Sequence, residues 1–166
     1  LELRAGELSA LVGQNGSGKT TLALVLVGLL KPSNRDAKIF VDGEEVTWKP
    51  VSERVGRVNY VFQNPDVQLF EQNVQREVEL ALKLLGEPEE VVKERADEVM
   101  EMLGISEHSG DLIIDLPLNL KTLVAIASTL VLKPRILLID EPTSGLDWRS
   151  SERLMKVLKG LTERGH

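Results

Sequence analysis

The chain contains no cysteine, which excludes a disulfide framework and any metal site built on thiolates. No apolar run approaches the roughly 20 residues that a membrane-spanning helix needs; the longest extends from Leu22 to Leu30. No signal peptide is visible, which points to the cytoplasm. There is no basic cluster either, and a net charge of −6 argues against nucleic acid as the main partner, because phosphate backbones are bound through Lys and Arg. Internal repeats and low-complexity linkers are absent. What remains is 166 residues of ordinary globular composition, enough for one core that buries roughly 70% of the unfolded surface.

Within that composition one motif stands out. Gly13-Gln14-Asn15-Gly16-Ser17-Gly18-Lys19-Thr20 fits G-x-x-x-x-G-K-[ST]. Glu7 to Val12 reads as a short buried strand and Lys19 to Leu30 as a mostly apolar helix, so the loop lies at a strand-to-helix junction. Glycines let the backbone adopt strained dihedrals and bring its N–H groups against phosphates. The helix N-terminus adds unsatisfied N–H groups and the positive end of a dipole. Lys19 would reach the β- and γ-phosphates and the Thr20 hydroxyl would ligate Mg²⁺. Residues 13–20, with Thr21 beside them, form the expected nucleotide-binding set.

A second motif narrows the chemistry. Ile136 to Ile139 form a continuous apolar run, as expected of a parallel strand covered on both faces, and Asp140-Glu141-Pro142 follow. Ligands of such sheets gather at the carboxyl ends of the strands. Asp140 would therefore bind Mg²⁺, directly or through water, and Glu141 would accept a proton from an attacking water.

These residues resemble the ATP-binding cassette ATPases. Asp140 to Asp147 is similar to that family's Walker B strand running into its D-loop, with the D-loop at Ser144 to Asp147. Gln63, after the strand-like Arg57 to Phe62, matches the Q-loop glutamine, which implies a role in sensing Mg²⁺ and the γ-phosphate. The run from Phe62 to Phe70, Phe-Gln-Asn-Pro-Asp-Val-Gln-Leu-Phe, resembles the energy-coupling-factor and cobalt/nickel-type importer ATPases. The resemblance implies an α/β P-loop NTPase core with a mainly parallel sheet, a small antiparallel β element and an inserted helical subdomain. It also implies ATP and Mg²⁺ as ligands, with Lys19, Gln63 and Glu141 as catalytic residues. Thr20, Asp140 and Gln63 would hold the metal. A membrane-embedded subunit and a second ATPase subunit would be the partners, with the protein peripheral to the inner face of the cell membrane.

Several positions depart from the family pattern. The signature Leu-Ser-Gly-Gly-Gln should open the helix before Walker B; Leu116-Pro117-Leu118-Asn119-Leu120 stands there instead. Pro117 has no N–H, and Leu118 and Leu120 add apolar bulk where backbone must approach a phosphate. Asn119 reads as the N-cap of a helix from Leu120 to Leu132. In the family each ATP lies between one subunit's Walker motifs and the other's signature. A chain with intact Walker residues and no signature implies a heterodimer with one competent site. The adenine-stacking aromatic and the switch histidine are missing, and Trp148 stands where the family often has proline. His166 reads as a surface residue. The family domain is larger, so truncation at both ends is expected.

The remaining pattern places a second lobe. Val74, Val78, Ala81, Leu82 and Leu85 recur at helical spacing, as do Val92, Ala96, Val99, Met100 and Leu103. Pro88 suits the first turn of the second helix, Gly104 the position just past it, and Glu89 with Lys93 an i, i+4 pair. Met100 and Met102 read as core and rim. Ile39 to Val41 and Val46 to Trp48 suggest a hairpin around Asp42-Gly43. The expected division is a nucleotide-binding core at 1–63 and 133–166 with a helical subdomain at 64–132. A GTPase would need Asp-x-x-Gly and [Asn/Thr]-Lys-x-Asp, and neither occurs. A chromosome-maintenance ATPase would carry long heptads between its motifs. An ATP-binding but hydrolytically silent subunit and a non-transport cassette ATPase stay open beside the importer ATPase.

Overall fold

The computed structural model describes residues 1–144 and 146–163; His166 and the Gly145 of the expected D-loop lie outside them. Two short parallel strands organise the chain. Val58–Val61 (β3, after the hairpin strands β1 and β2 below) and Ile136–Ile139 (β4) pair with Val58 opposite Ile136 and Val61 opposite Ile139. Side chains alternate between the faces of a strand, so this ribbon feeds two separate cores. Val58 and Tyr60, with Phe62, Ile136 and Leu138, pack against Val27, Val41 and Val46. Val61, with Leu137 and Ile139, joins a larger helical core.

The smaller core holds the glycine-loop helix, Lys19–Val27 (α1). It ends three residues before the expected Leu30 because Gly28 adopts a left-handed conformation at φ 87° and its N–H closes on the Val25 carbonyl. That geometry favours glycine, and space enforces it too: a Cβ on Gly28 would lie 2.9 Å from Arg54 Nε. Arg54, on the short helix Val51–Arg54 (α2), is buried. Its guanidinium donates to the carbonyls of Val25 (3.0 Å), Leu26 (2.8 Å), Thr47 (2.7 Å) and Lys49 (3.2 Å). A cation thus satisfies orphan carbonyls at the negative end of α1.

The hairpin turns where expected, but its second strand precedes the expected Val46 to Trp48. Phe40–Val41 (β1) and Glu44–Glu45 (β2) pair antiparallel across Asp42 and Gly43, both at positive φ (51° and 79°), as a tight primed turn requires. Val46 to Trp48 is not a strand, although Val46 N–H still reaches the Ile39 carbonyl.

Two expected strands need correction. Glu7 to Val12 is exposed and forms no strand; the Glu7 N–H turns back to the Arg4 carbonyl. An apolar stretch becomes a strand only when a neighbour takes its ladder bonds, and among the described residues none does. β4 is half-buried along its length rather than covered on both faces; among the described residues only β3 pairs with it.

The helical lobe comprises Val74–Leu84 (α3), Glu89–Leu103 (α4) and Leu118–Leu130 (α5). Val74, Val78, Leu82, Val92, Ala96, Val99, Met100 and Leu103 are buried as the spacing requires, and Met102 packs at the rim. Leu85 lies past the end of α3 and is exposed. Gly104 terminates α4 at φ 68°. Pro88 sits just before α4 as its cap rather than in the first turn. Glu89 approaches Lys83 (3.9 Å) and makes no pair with Lys93, because Lys83 is already drawn to that end by Glu79 (2.7 Å). Trp148–Glu163 (α6) follows the β4 loop, with Trp148 exposed and Leu154, Leu158 and Leu161 inward. The parallel pair, the antiparallel hairpin and the helical lobe together form the α/β fold expected.

Candidate nucleotide site

The glycine loop is exposed and takes the strained conformation its composition allows. Gly16 and Gly18 lie at φ 80° and 92°, with open space where a Cβ would be. At Gly13 a Cβ would fall 2.8 Å from Ser17 Oγ, so the turn is closed tightly there. Lys19 curls back over the loop, and its Nζ donates to the carbonyls of Gly13 (2.8 Å) and Gln14 (3.0 Å). Gly18 caps α1 with no side-chain hydrogen bond, which leaves first-turn N–H groups available to an anion. Asn15 and Thr21 are exposed beside it.

The end of β4 brings the remaining residues to this loop. Asp140 follows the last β4 residue, and its N–H bonds the Val61 carbonyl (3.0 Å), which extends the β3 pairing by one step. Its Oδ2 accepts from Thr20 Oγ1 and from Tyr60 Oη, each at 2.7 Å. Glu141 turns sharply at φ 45°, an uncommon conformation for a non-glycine residue. There its Oε2 accepts from Gln63 Nε2 at 2.7 Å. Thr20, Gln63, Asp140 and Glu141, distant in sequence, therefore form two coupled pairs at one end of the ribbon.

The donor set suits Mg²⁺. Hydroxyl, carboxylate and amide oxygens are the hard ligands this ion takes. No cluster of three or more His, Cys, Asp or Glu residues occurs among the described residues. One carboxylate beside a phosphate loop is a pattern for Mg²⁺ that arrives with a nucleotide's phosphates.

Two residues outside the expected set belong to this arrangement. Tyr60 is the first. Burial and its bond to Asp140 push the phenol well above its ordinary pKa, so it is a donor at neutral pH. The available signal was a polar-tipped aromatic alternating with Val58 and Phe62 on one face of a strand-like segment. Gln68 is the second. Its Oε1 accepts from Phe62 N–H (3.2 Å), and its Nε2 donates to the Ala125 carbonyl (3.1 Å) and Thr129 Oγ1 (2.9 Å). With the Lys121–Asp66 ion pair (2.8 Å), it ties the segment after Gln63 to α5. Nothing in the spacing pointed to that tie.

The start of α5 differs from the sequence expectation. The helix begins at Leu118, capped by Pro117 at φ −66°, and Asn119 lies in the first turn without capping it. Proline suits this position because its fixed φ fits the junction and its missing N–H leaves no donor orphaned. Leu116 is buried behind it and Leu118 is exposed.

Comparison with known proteins identifies the family. Residues 1–144 match the ABC transporter family model. The chain is 42% identical, over 94% of its length, to a putative ABC transporter ATP-binding protein of Pyrococcus horikoshii, covering 59% of that protein. It is 41% identical, over 95% of its length, to an energy-coupling factor transporter ATP-binding protein of Caldanaerobacter subterraneus, covering 56% of it. A solved cbiO1 structure from Clostridium perfringens, part of an ABC transporter complex, superposes with a TM-score of 0.89 at 32% identity. That match covers 99% of this chain and 65% of the other. The chain thus spans less than two thirds of each of these proteins.

Proposed function

The chain belongs to the ABC transporter family, and from that premise we propose that it is an ATP-binding and hydrolysing subunit of a membrane importer of the energy-coupling-factor type. The convergence of Thr20 and Asp140, 2.7 Å apart although 120 residues separate them, is the observation that carries this reading. It joins a phosphate loop to a metal-competent carboxylate.

The roles of the chain's own groups follow from their present partners. Lys19 would release the Gly13 and Gln14 carbonyls and turn to the β- and γ-phosphates, while the open faces of Gly16 and Gly18 let backbone N–H groups approach. Thr20 and Asp140 would hold Mg²⁺, with Gln63 near it. Bound there, the ion neutralises charge that develops on the phosphates. Glu141 must give up its bond from Gln63 before Oε2 can take a proton from water. In the structure each of these groups is engaged with another.

The start of α5 supports the finer part of the proposal. Pro117 offers no N–H and Leu118 fills the adjacent space, so this chain cannot clamp a partner's γ-phosphate as a serine–glycine signature would. A second subunit would supply the working signature opposite Lys19 and Glu141, giving a heterodimer with one catalytic site. Residues 64–132 would face the membrane component. A groove of about 560 Å³, bordered by Asp66, Leu69, Gln72, Ile113 and Lys121, lies on that lobe. Glu77 firms its edge by accepting from the N–H groups of Phe70 (2.8 Å) and Glu71 (2.7 Å). No helix among the described residues is long and apolar enough to cross a membrane.

The same α5 start favours a second reading, in which the subunit holds ATP without turning it over. Single-turnover hydrolysis by the full-length protein assembled with its partner separates the two. Turnover lost with Glu141→Gln supports the first reading, and no turnover in the intact assembly supports the second.

A further inference from the structure

Tyr60 and Leu138 are register partners in the β3–β4 pair, and Asp140 lies two residues beyond Leu138. Alternation puts all three side chains on the ribbon face that carries α1. There the Tyr60 ring packs with Val27 and Val58 and meets the edge of Phe62 at 4.7 Å and 79°, so its hydroxyl has little freedom. That hydroxyl donates to Asp140 Oδ2, the oxygen that Thr20 also engages.

We propose that Tyr60 is a positioning residue for Mg²⁺: its phenol pins the Asp140 carboxylate so that Oδ1 is presented to the ion. The inference rests on the nucleotide-site reading above. Oδ1 accepts no hydrogen bond among the described residues. The Thr20 hydroxyl can keep its proton on Oδ2 while a lone pair turns to the metal, so its position has to serve the ion as well as the carboxylate. Tyr60, anchored in the core, has no such second task and keeps its bond in both states. A phenylalanine would fill the same volume and leave the carboxylate free to rotate. Partners that orient a metal-binding carboxylate typically account for 10–100-fold in metal affinity.

The experiment compares the wild-type protein with Tyr60→Phe. ATP affinity in EDTA and the melting temperature should match, while the Mg²⁺ affinity of the ATP complex, titrated by calorimetry, should fall about tenfold. Equal Mg²⁺ affinity would overturn the inference, as would an equal loss of ATP affinity in EDTA, which marks a merely structural role. A wild type that binds no Mg-ATP overturns the nucleotide-site reading and this inference together. Because the chain has a single tyrosine, fluorotyrosine in the otherwise native protein reports on the same bond without relying on the variant's folding. Its ¹⁹F resonance should shift when Mg²⁺ joins the ATP complex, and a resonance that stays in place counts against the proposal.

Discussion

Gln63 Nε2 donates to Glu141 Oε2 at 2.7 Å across 78 residues of sequence, so the side chain expected to activate water is held by the one expected to sense the metal. Neither is free while the bond lasts. Under the proposed function, Mg-ATP would offer Gln63 a new partner and so free Glu141, which would couple loading to base activation through one hydrogen bond.

Glu141→Gln keeps the size of that side chain and removes its basicity. In the assembled transporter it should lower ATP hydrolysis by about 100-fold or more, the usual worth of a general base, with ATP still bound. The matching change in the partner subunit should cost much less, because the partner's nucleotide would face Pro117 and Leu118. Steady-state phosphate release from both mutant assemblies checks this. An active homodimer of this chain, or a partner mutation that proves the more damaging one, contradicts the heterodimer.

Lys19→Ala removes the loop's mobile cation. Charge-assisted hydrogen bonds of this kind contribute about 1.5–3 kcal/mol, so ATP affinity measured by calorimetry should fall at least about tenfold. The melting temperature should barely change, since Lys19 bonds only loop carbonyls.

Arg54→Met tests the closure of α1. It leaves carbonyls of Val25, Leu26 and Thr47 without their donor, and unsatisfied buried acceptors are costly. The expected loss is about 3 kcal/mol in urea unfolding. A loss below about 1 kcal/mol would mean that water takes over those carbonyls.

Glu44 supplies a pH dependence. Hydrogen bonds from Lys49 and Arg57 hold its carboxylate down at about 2, against about 4.3 for an unfolded Glu. A depressed folded value contributes stability that is full above the unfolded value and lost as pH falls from there through about 2. Glu44→Gln should therefore destabilise the protein at pH 6 and become nearly neutral near pH 2. Denaturant melts across that window test the sign.

Much of the site was legible before any coordinates. G-x-x-x-x-G-K-[ST] works through backbone conformation and adjacent groups, so its spacing in sequence is its spacing in space. The same holds for Asp42-Gly43, where two positive φ angles are asked of two residues suited to them, and for Gly104 at the end of α4. Helix faces in the second lobe followed from periodicity because each helix buries one side.

Failures of the reading arose where partners are distant. Glu7 to Val12 carries strand-like composition, yet a strand needs a ladder and none of its neighbours supplies one. Asn119 is a good capping residue, but buried Leu116 and the fixed φ of Pro117 set the start of α5 two residues earlier. Gln68 looked like one letter of a motif, and only packing shows that it ties Phe62 to α5.

The sequence by itself determined which groups the proposed chemistry would draw on, because phosphate, metal and proton each demand particular ones: glycines with Lys19 and Thr20, and the carboxylates of Asp140 and Glu141. Tertiary structure alone decided which of those groups hold one another. Tyr60 reaches Asp140 and Gln63 reaches Glu141 because parallel pairing of β3 with β4 carries residues some 80 positions apart to the same end of one ribbon, and Thr20 joins them because α1 packs on that ribbon. Hydrogen bonds act over about 3 Å, and no local pattern in a chain encodes a distance that only its folding creates.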